Sequence, residues 1–155
     1  MATTTTGTRA ASGFPAYTPN GSGLVCAAYG SASISSNVVV NDIWKLCKLP
    51  AGAVVLGGAF WASDMDTGTE TLDLDVGWAD NGAEAADPDG LCNSGVLSGD
   101  AITDFEAAGV NYRPFPLTAG PITFTRETVI QVQANAVAAT FASGTISVVV
   151  YYVVP

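Results

Sequence analysis

Residues 71–78 read Thr-Leu-Asp-Leu-Asp-Val-Gly-Trp, and residues 128–137 read Thr-Val-Ile-Gln-Val-Gln-Ala-Asn-Ala-Val. In the first stretch Leu72, Leu74, Val76 and Trp78 share one side of an extended chain, and Asp73, Asp75 and Gly77 share the other. In the second, Ile130, Val132, Ala134 and Ala136 oppose Val129, Gln131, Gln133 and Asn135. Successive side chains of a strand point to opposite faces. This period of two therefore predicts strands with one buried face and one wet face, as in a sandwich of antiparallel sheets.

Working outward, short apolar or alternating runs lie between frequent turn signals: Pro19-Asn20-Gly21, Gly57-Gly58, Asn81-Gly82, Asp87-Pro88-Asp89-Gly90 and Ser143-Gly144. The runs predict strands near 24–34, 38–49, 54–63, 71–78, 122–125, 127–136 and 145–153. Val occurs 17 times and Thr 16 times, while Lys and Glu are rare, which favours strands over helices. One short helix is predicted over Asp100–Ala108, with Asp100 as N-cap and Gly109 as C-cap. The periodic helices of an α/β fold are missing. The expected fold is all-β, a jelly roll or β-sandwich of about eight antiparallel strands. The run from Ser147 to Val154 is nearly all apolar, so it is either covered on both faces or placed at a subunit interface.

The 155 residues suit one domain, and a 48% apolar fraction is enough to build a core. Residues 1–23 are rich in Thr, Ser, Ala and Gly, carry no acid, and cannot fold alone. They are expected to form an extended arm that adds to a neighbour's sheet edge. Residues 24–155 form the sandwich. Twelve of the fourteen acids fall between Asp64 and Glu106, where no Lys or Arg occurs, and residues 79–106 read as an acidic loop region.

Several function classes are excluded. A net charge of −9 cannot neutralise a row of phosphates, so nucleic acid is not an expected partner. No apolar run approaches the ~20 residues of a membrane span, and residues 1–23 lack the apolar centre of a signal peptide. With no His, neither a Ser nor a Cys can have an imidazole partner, and no Gly-x-Ser-x-Gly occurs. The stretch from Gly21 to Gly30 has glycines but no Lys-Ser/Thr, so it is not a phosphate loop. No cofactor is implied, and no enzyme is expected. Cys26, Cys47 and Cys92 are odd in number and lack metal-ligand spacing, so they read as free thiols.

The loop acids Asp64, Asp66, Asp80, Glu84, Asp87 and Asp89 supply oxygens of the kind calcium prefers. Residues 64–70, however, lack the third ligand position and terminal Glu of an EF-hand loop. A solvated acidic surface is the plainer reading. Paired carboxylates also serve glycoside hydrolysis, but a chain this short has little from which to build a sugar cleft. Trp44, Trp61 and Trp78 lie inside strand runs and read as core.

Three segments carry a family pattern: Lys48-Leu49-Pro50-Ala51-Gly52-Ala53 leading into Val54–Gly58, Asp66-Thr67-Gly68-Thr69-Glu70-Thr71 leading into Val76-Gly77-Trp78, and Gly144-Thr145-Ile146-Ser147-Val148-Val149-Val150-Tyr151-Tyr152. Over residues 37–155 this pattern resembles the small jelly-roll decoration, or cement, proteins of tailed-bacteriophage capsids. The resemblance implies a structural protein with no catalytic residues, made in the host cytoplasm and carried on the outer surface of the virion. It implies the major capsid protein as partner and a homo-oligomer, a trimer, that bridges neighbouring capsid subunits. The expected contact elements are the arm, through Thr3, Thr5, Arg9, Phe14 and Tyr17, and the last strand, through Val148, Val150 and Tyr152. The acidic loops would face outward. A head-fibre or tail-associated protein is the alternative, followed by a carbohydrate-binding module.

Overall fold

The structure, a computed structural model, describes residues 1–13, 24–69, 71–93, 110–115 and 120–155, with backbone only at 110–113. The described strands are β1 (Thr4–Thr6), β2 (Cys26–Ile34), β3 (Ile43–Leu49), β4 (Val54–Ser63), β5 (Asp73–Trp78), β6 (Asp87–Cys92), β7 (Val110–Phe115), β8 (Ile122–Thr123), β9 (Thr128–Ala136) and β10 (Gly144–Val153), with a 3₁₀ turn at Thr8–Ala10. They form two sheets, ordered β1-β3-β9-β5-β6 and β2-β10-β4-β7, with β8 paired to β4. We call these the β9 sheet and the β10 sheet, after their central strands. Without β1 and β8, the remaining eight strands make two four-stranded antiparallel sheets with the chain crossing repeatedly between them. That is the jelly-roll arrangement the alternation predicts.

The two sheets press their apolar faces together. Leu74 and Val76 of β5, Ile130, Val132 and Ala134 of β9, Val55 and Phe60 of β4, and Ile146, Val148, Val150 and Tyr152 of β10 are all fully buried there. The turn at residues 50–53 links the sheets. It is closed by Ala53 N–H donating to the Pro50 carbonyl at 3.2 Å, and Gly52 supplies its positive φ of 81°.

Five details depart from the sequence reading. The run predicted over 38–49 breaks, and β3 starts only at Ile43. Asn41 adopts φ 69° and Asp42 N–H closes a turn on the Val39 carbonyl at 2.9 Å. The Asp87-Pro88-Asp89-Gly90 turn signal lies inside strand β6, and Thr4–Thr6 forms a strand that no alternation marks. β1 joins β3 in parallel, so one pairing is not antiparallel. Finally, Asp75 and Gln131, on the expected wet face, are buried. They belong to two inner strands of the sheet, and β6 folds over their neighbour Gly77 so closely that a Cβ there would collide with Asp87 and Pro88. The predicted helix at Asp100–Ala108 lies outside the described residues.

Candidate functional site

The outward face of the β10 sheet is built by strand parity. On β10, Val148, Val150 and Tyr152 point into the core, which leaves Val149 and Tyr151 pointing out. Register places Val149 between Tyr29 of β2 and Ala59 of β4, and Tyr151 between Ala27 and Gly57. A bulge opposite Tyr151 and Tyr152 adds Leu56 to this face. Gly57, at φ 144°, provides a backbone conformation there that side chains rarely adopt. Tyr29, Leu56 and Tyr151 are each about 42–46% exposed. Ser31, Ser147 and the half-buried Trp61 continue the face in the next row. No Asp, Glu, Lys or Arg belongs to β2, β4 or β10. The result is an apolar, weakly polar-edged sheet face.

At one border of this face Arg9 lies over the Tyr29 ring, 5.8 Å from its centroid. Hydrogen bonds with Ser147 and Ser31 lower the Tyr29 phenol below its usual value. Burial opposes them, and the Arg9 charge lowers it further.

The outward face of the β9 sheet is the opposite in character. Lys45, Gln131, Gln133, Asp73, Asp75 and Asn135 occupy it. Gln133 donates to Asn41 at 3.1 Å, and Asn135 to Asp73 at 3.0 Å. Lys48 pairs with Glu127 at 3.0 Å.

The expected contact residues divide. Thr3, Thr5 and Arg9 are exposed. The arm's first segment is held by its own chain: Asp42 Oδ1 accepts from Thr3 N at 2.6 Å and from Thr3 Oγ1 at 2.9 Å, and Asp42 Oδ2 accepts from Val39 N at 2.8 Å. Burial would raise the Asp42 carboxyl, but these hydrogen bonds and the N-terminal charge lower it below its usual value. Phe14 and Tyr17 lie outside the described residues. Val148, Val150 and Tyr152 are corrected: each is completely buried against the facing sheet, so none can touch a partner while the chain is folded. Their neighbours Val149 and Tyr151 are the ones that point outward. Tyr29, Leu56, Val149 and Tyr151 escaped the sequence reading because both faces of β10 are apolar, and parity alone does not say which one faces in.

The acid-rich loops split into structural and surface groups. Asp66 is buried, and its two oxygens accept from Thr71, Leu72, Ala139 and Thr140 N–H groups at 2.8–3.1 Å. Burial pushes its pKa up, but these donors prevail and bring it down to about 2. This carboxylate ties two loops together and is saturated with donors, which leaves it poorly placed to ligate a cation. Glu84 accepts from Thr125 and Asn81, and those hydrogen bonds lower it below its usual value. No group of three potential metal-ligating side chains occurs among the described residues. All three cysteines are free thiols, and burial pushes Cys47 up to about 12. Of the tryptophans, Trp44 is core, while Trp78 meets Phe124 edge-on at 5.1 Å and donates to the Ala85 carbonyl at 2.9 Å. No helix among the described residues is long and apolar enough to cross a membrane.

No family model matches the chain, and no curated protein matches it. Solved structures do. A chain of the Ralstonia phage GP4 capsid superposes with a TM-score of 0.73 at 23% identity, over 98% of both chains. A chain of the cyanophage Pam1 capsid asymmetric unit gives 0.64 at 26% identity, covering 93% of this chain and 95% of that one. A chain of the acid-stable capsid of the Helicobacter pylori bacteriophage KHP30 gives 0.55 at 18% identity, over 86% and 91%. The likeness is to phage capsid proteins. It runs the length of the chain on both sides, so the whole jelly roll is shared rather than one hairpin. It supports a virion structural protein, in agreement with the resemblance carried by the sequence pattern.

Proposed function

We propose that this chain is a decoration protein that binds the outer surface of a phage shell and braces neighbouring major capsid subunits, without catalytic activity. The observation that carries this reading is the outward face that β2, β10 and β4 build without a charged residue of their own, with Tyr29, Leu56, Val149 and Tyr151, on a chain whose full-length structural relatives are phage capsid chains. Aromatic side chains at the centre of a dry patch are the usual anchors of a tight interface. A standard interface of ~1,600 Å² over two subunits would oppose their separation by binding both at once. The polar β9 face would then look outward and keep particles dispersed.

The test is co-sedimentation of the purified chain with empty shells that lack it. Saturable binding, weakened by Tyr151→Asp with the fold intact by circular dichroism, supports decoration through this face. Binding to isolated tails but not to shells would favour the tail-associated reading. Binding to polysaccharide alone would favour a glycan-binding module.

A further inference from the structure

Lys45 and Lys48 stand three residues apart on β3, and in a regular strand that odd spacing sends two side chains to opposite faces. Here it does not. The pairing of β3 with β9 shifts between Lys45 and Cys47, so that Lys45 stands opposite Gln131, Cys47 opposite Ile130 and Lys48 opposite Val129. Three steps along β3 match two along β9, with Leu46 as the extra residue of a β-bulge. Cys47 and Ile130 are buried in the core, and both lysines therefore share the outward face of the β9 sheet.

The arm turns this face into a groove. β1 runs parallel to β3 with Thr6 opposite Lys45, and the Gly7 N–H donates to the Lys45 carbonyl at 2.7 Å. Ala11 and Ser12, just past the 3₁₀ turn, line the groove with them. Its volume is about 480 Å³, within the ~300–1,000 Å³ of small-molecule sites. Two ammonium groups and the Glu127 carboxylate leave it with a single net positive charge, on a chain that carries −9.

The two lysines are not equivalent. The Lys48 side chain is only 8% exposed and is held by Glu127 at 3.0 Å. Lys45 is half-buried and forms no ion pair among the described residues, so its ammonium is the one an incoming anion can meet. Ala11 and Val129 offer C–H surface, while Thr6, Ser12 and the exposed Glu127 offer partners for hydroxyl groups. A bare inorganic anion would leave most of this volume empty, and a phosphate dianion would also meet the Glu127 charge. One carboxylate on a hydroxylated ring matches both the charge and the lining.

We propose that this groove binds an acidic sugar, a uronic or sialic acid, with its carboxylate at Lys45, its ring against Ala11 and Val129, and its hydroxyls at Thr6, Ser12 and Glu127. The groove lies on the sheet opposite the face assigned to shell contact, so both can be occupied at once. No aromatic side chain lines it among the described residues, and a single copy binds weakly. Many copies on one particle would add such weak contacts by multivalency, a step that rests on the decoration reading, whereas binding by the single chain does not.

The test is a titration of the full chain in solution, read by the backbone amide shifts of Thr6, Lys45 and Val129 at constant ionic strength. Glucuronate, galacturonate and N-acetylneuraminate are the probes; glucose, acetate and inorganic phosphate are the controls. At least one acidic sugar should give saturable shifts at these amides, with each control about tenfold weaker or more. Lys45→Gln should weaken that binding by about tenfold or more. Ala11→Phe, which fills the groove without altering β3, should do the same and serves should the Lys45 variant misfold. Tyr151→Ala, on the opposite face, should leave it unchanged. The proposal is overturned if none of the three sugars gives saturable shifts at these amides, or if both groove variants bind like wild type. Acetate or phosphate binding as tightly as the sugars would reduce the groove to an anion site, and glucose binding equally well would remove the role of Lys45. Either result would also overturn it. Shell binding is measured separately, so loss of one reading leaves the other standing.

Discussion

The two sheets of this jelly roll turn equivalent faces toward each other and opposite faces toward the world. Inside, both contribute fully buried aliphatic and aromatic side chains. Outside, the β9 sheet shows Lys45, Gln133, Asp73 and Asn135, while the β10 sheet shows Tyr29, Leu56, Val149 and Tyr151. Burial of the inner faces needs nothing from the outer ones, so the outer faces are free to differ. The difference between them is where function is to be sought.

Tyr151 and Tyr152 put this contrast on adjacent residues. Tyr152 is completely buried, and Tyr151 is 46% exposed on the outward face. Tyr152→Ala should cost about 3–5 kcal/mol, as truncation of a large core aromatic does, read as a lowered midpoint of urea unfolding. Tyr151→Ala should leave stability within about 1 kcal/mol of wild type. If the two variants were equally destabilised, the outer face of β10 would be part of the fold's support rather than a surface held in reserve.

The next largest effect concerns a carboxylate, and it tests whether the acids are all surface. Asp66 is held at about 2 against a usual 3.8 by four backbone donors. Its folded value is depressed, so its stabilisation is complete above the unfolded pKa and is lost as pH falls from about 4 through about 2. The gap corresponds to about 2 kcal/mol at neutral pH. Asp66→Asn should lose about that much and should also flatten the acid limb of the stability curve. Asp89→Asn, on an exposed strand residue, should leave stability at neutral pH within about 0.5 kcal/mol of wild type. An unchanged acid limb in Asp66→Asn would show that the loop clasp does not contribute.

A smaller effect belongs to the proposed shell contact. Tyr151→Ala should weaken shell binding by at least about fivefold, near 1 kcal/mol, while Gln133→Ser on the opposite face should leave it unchanged. The pair distinguishes the faces in one co-sedimentation series. Equal losses would place the contact on an edge shared by both sheets.

What was legible in the sequence follows from this geometry. β5 and β9 alternate apolar and polar residues, so their inner faces could be read directly. Leu74, Val76, Ile130 and Val132 are where the period of two puts them. β10 alternates between apolar and apolar, and there the pattern is silent about which side faces in; hence Val148, Val150 and Tyr152 were expected on the outer side, where Val149 and Tyr151 stand instead. β1 and β6 are strands by pairing rather than by composition. Thr4–Thr6 has no apolar member, and Asp87-Pro88-Asp89-Gly90 carries the residues of a turn. Both sit at sheet edges, where one side needs no partner and Pro is tolerated. The Asp66 clasp joins loops more than 60 residues apart, and no local spacing announces it.

The smallest predicted effect tests where the arm belongs. Thr3 was expected to reach a neighbour, yet its N–H and hydroxyl are both held by Asp42. Thr3→Val removes the hydroxyl bond at 2.9 Å and keeps the N–H bond at 2.6 Å, so the loss should be about 0.5–1 kcal/mol. That loss is local. β1 is three residues long and lies at the sheet edge, so it can fray without opening the core. Amide exchange at Gly7, whose N–H bonds the Lys45 carbonyl, and at Ile43, whose N–H bonds the Thr3 carbonyl, should quicken several-fold while the β9 amides stay protected. The clasp also has a pH signature. The Asp42 carboxyl is lowered in the fold, so its hold on Thr3 is complete above the unfolded carboxylate pKa and weakens as pH falls toward the folded value. If Thr3→Val left this exchange untouched but abolished shell binding or self-association, Thr3 would be acting on a partner after all, and the strand would be anchored by its backbone alone.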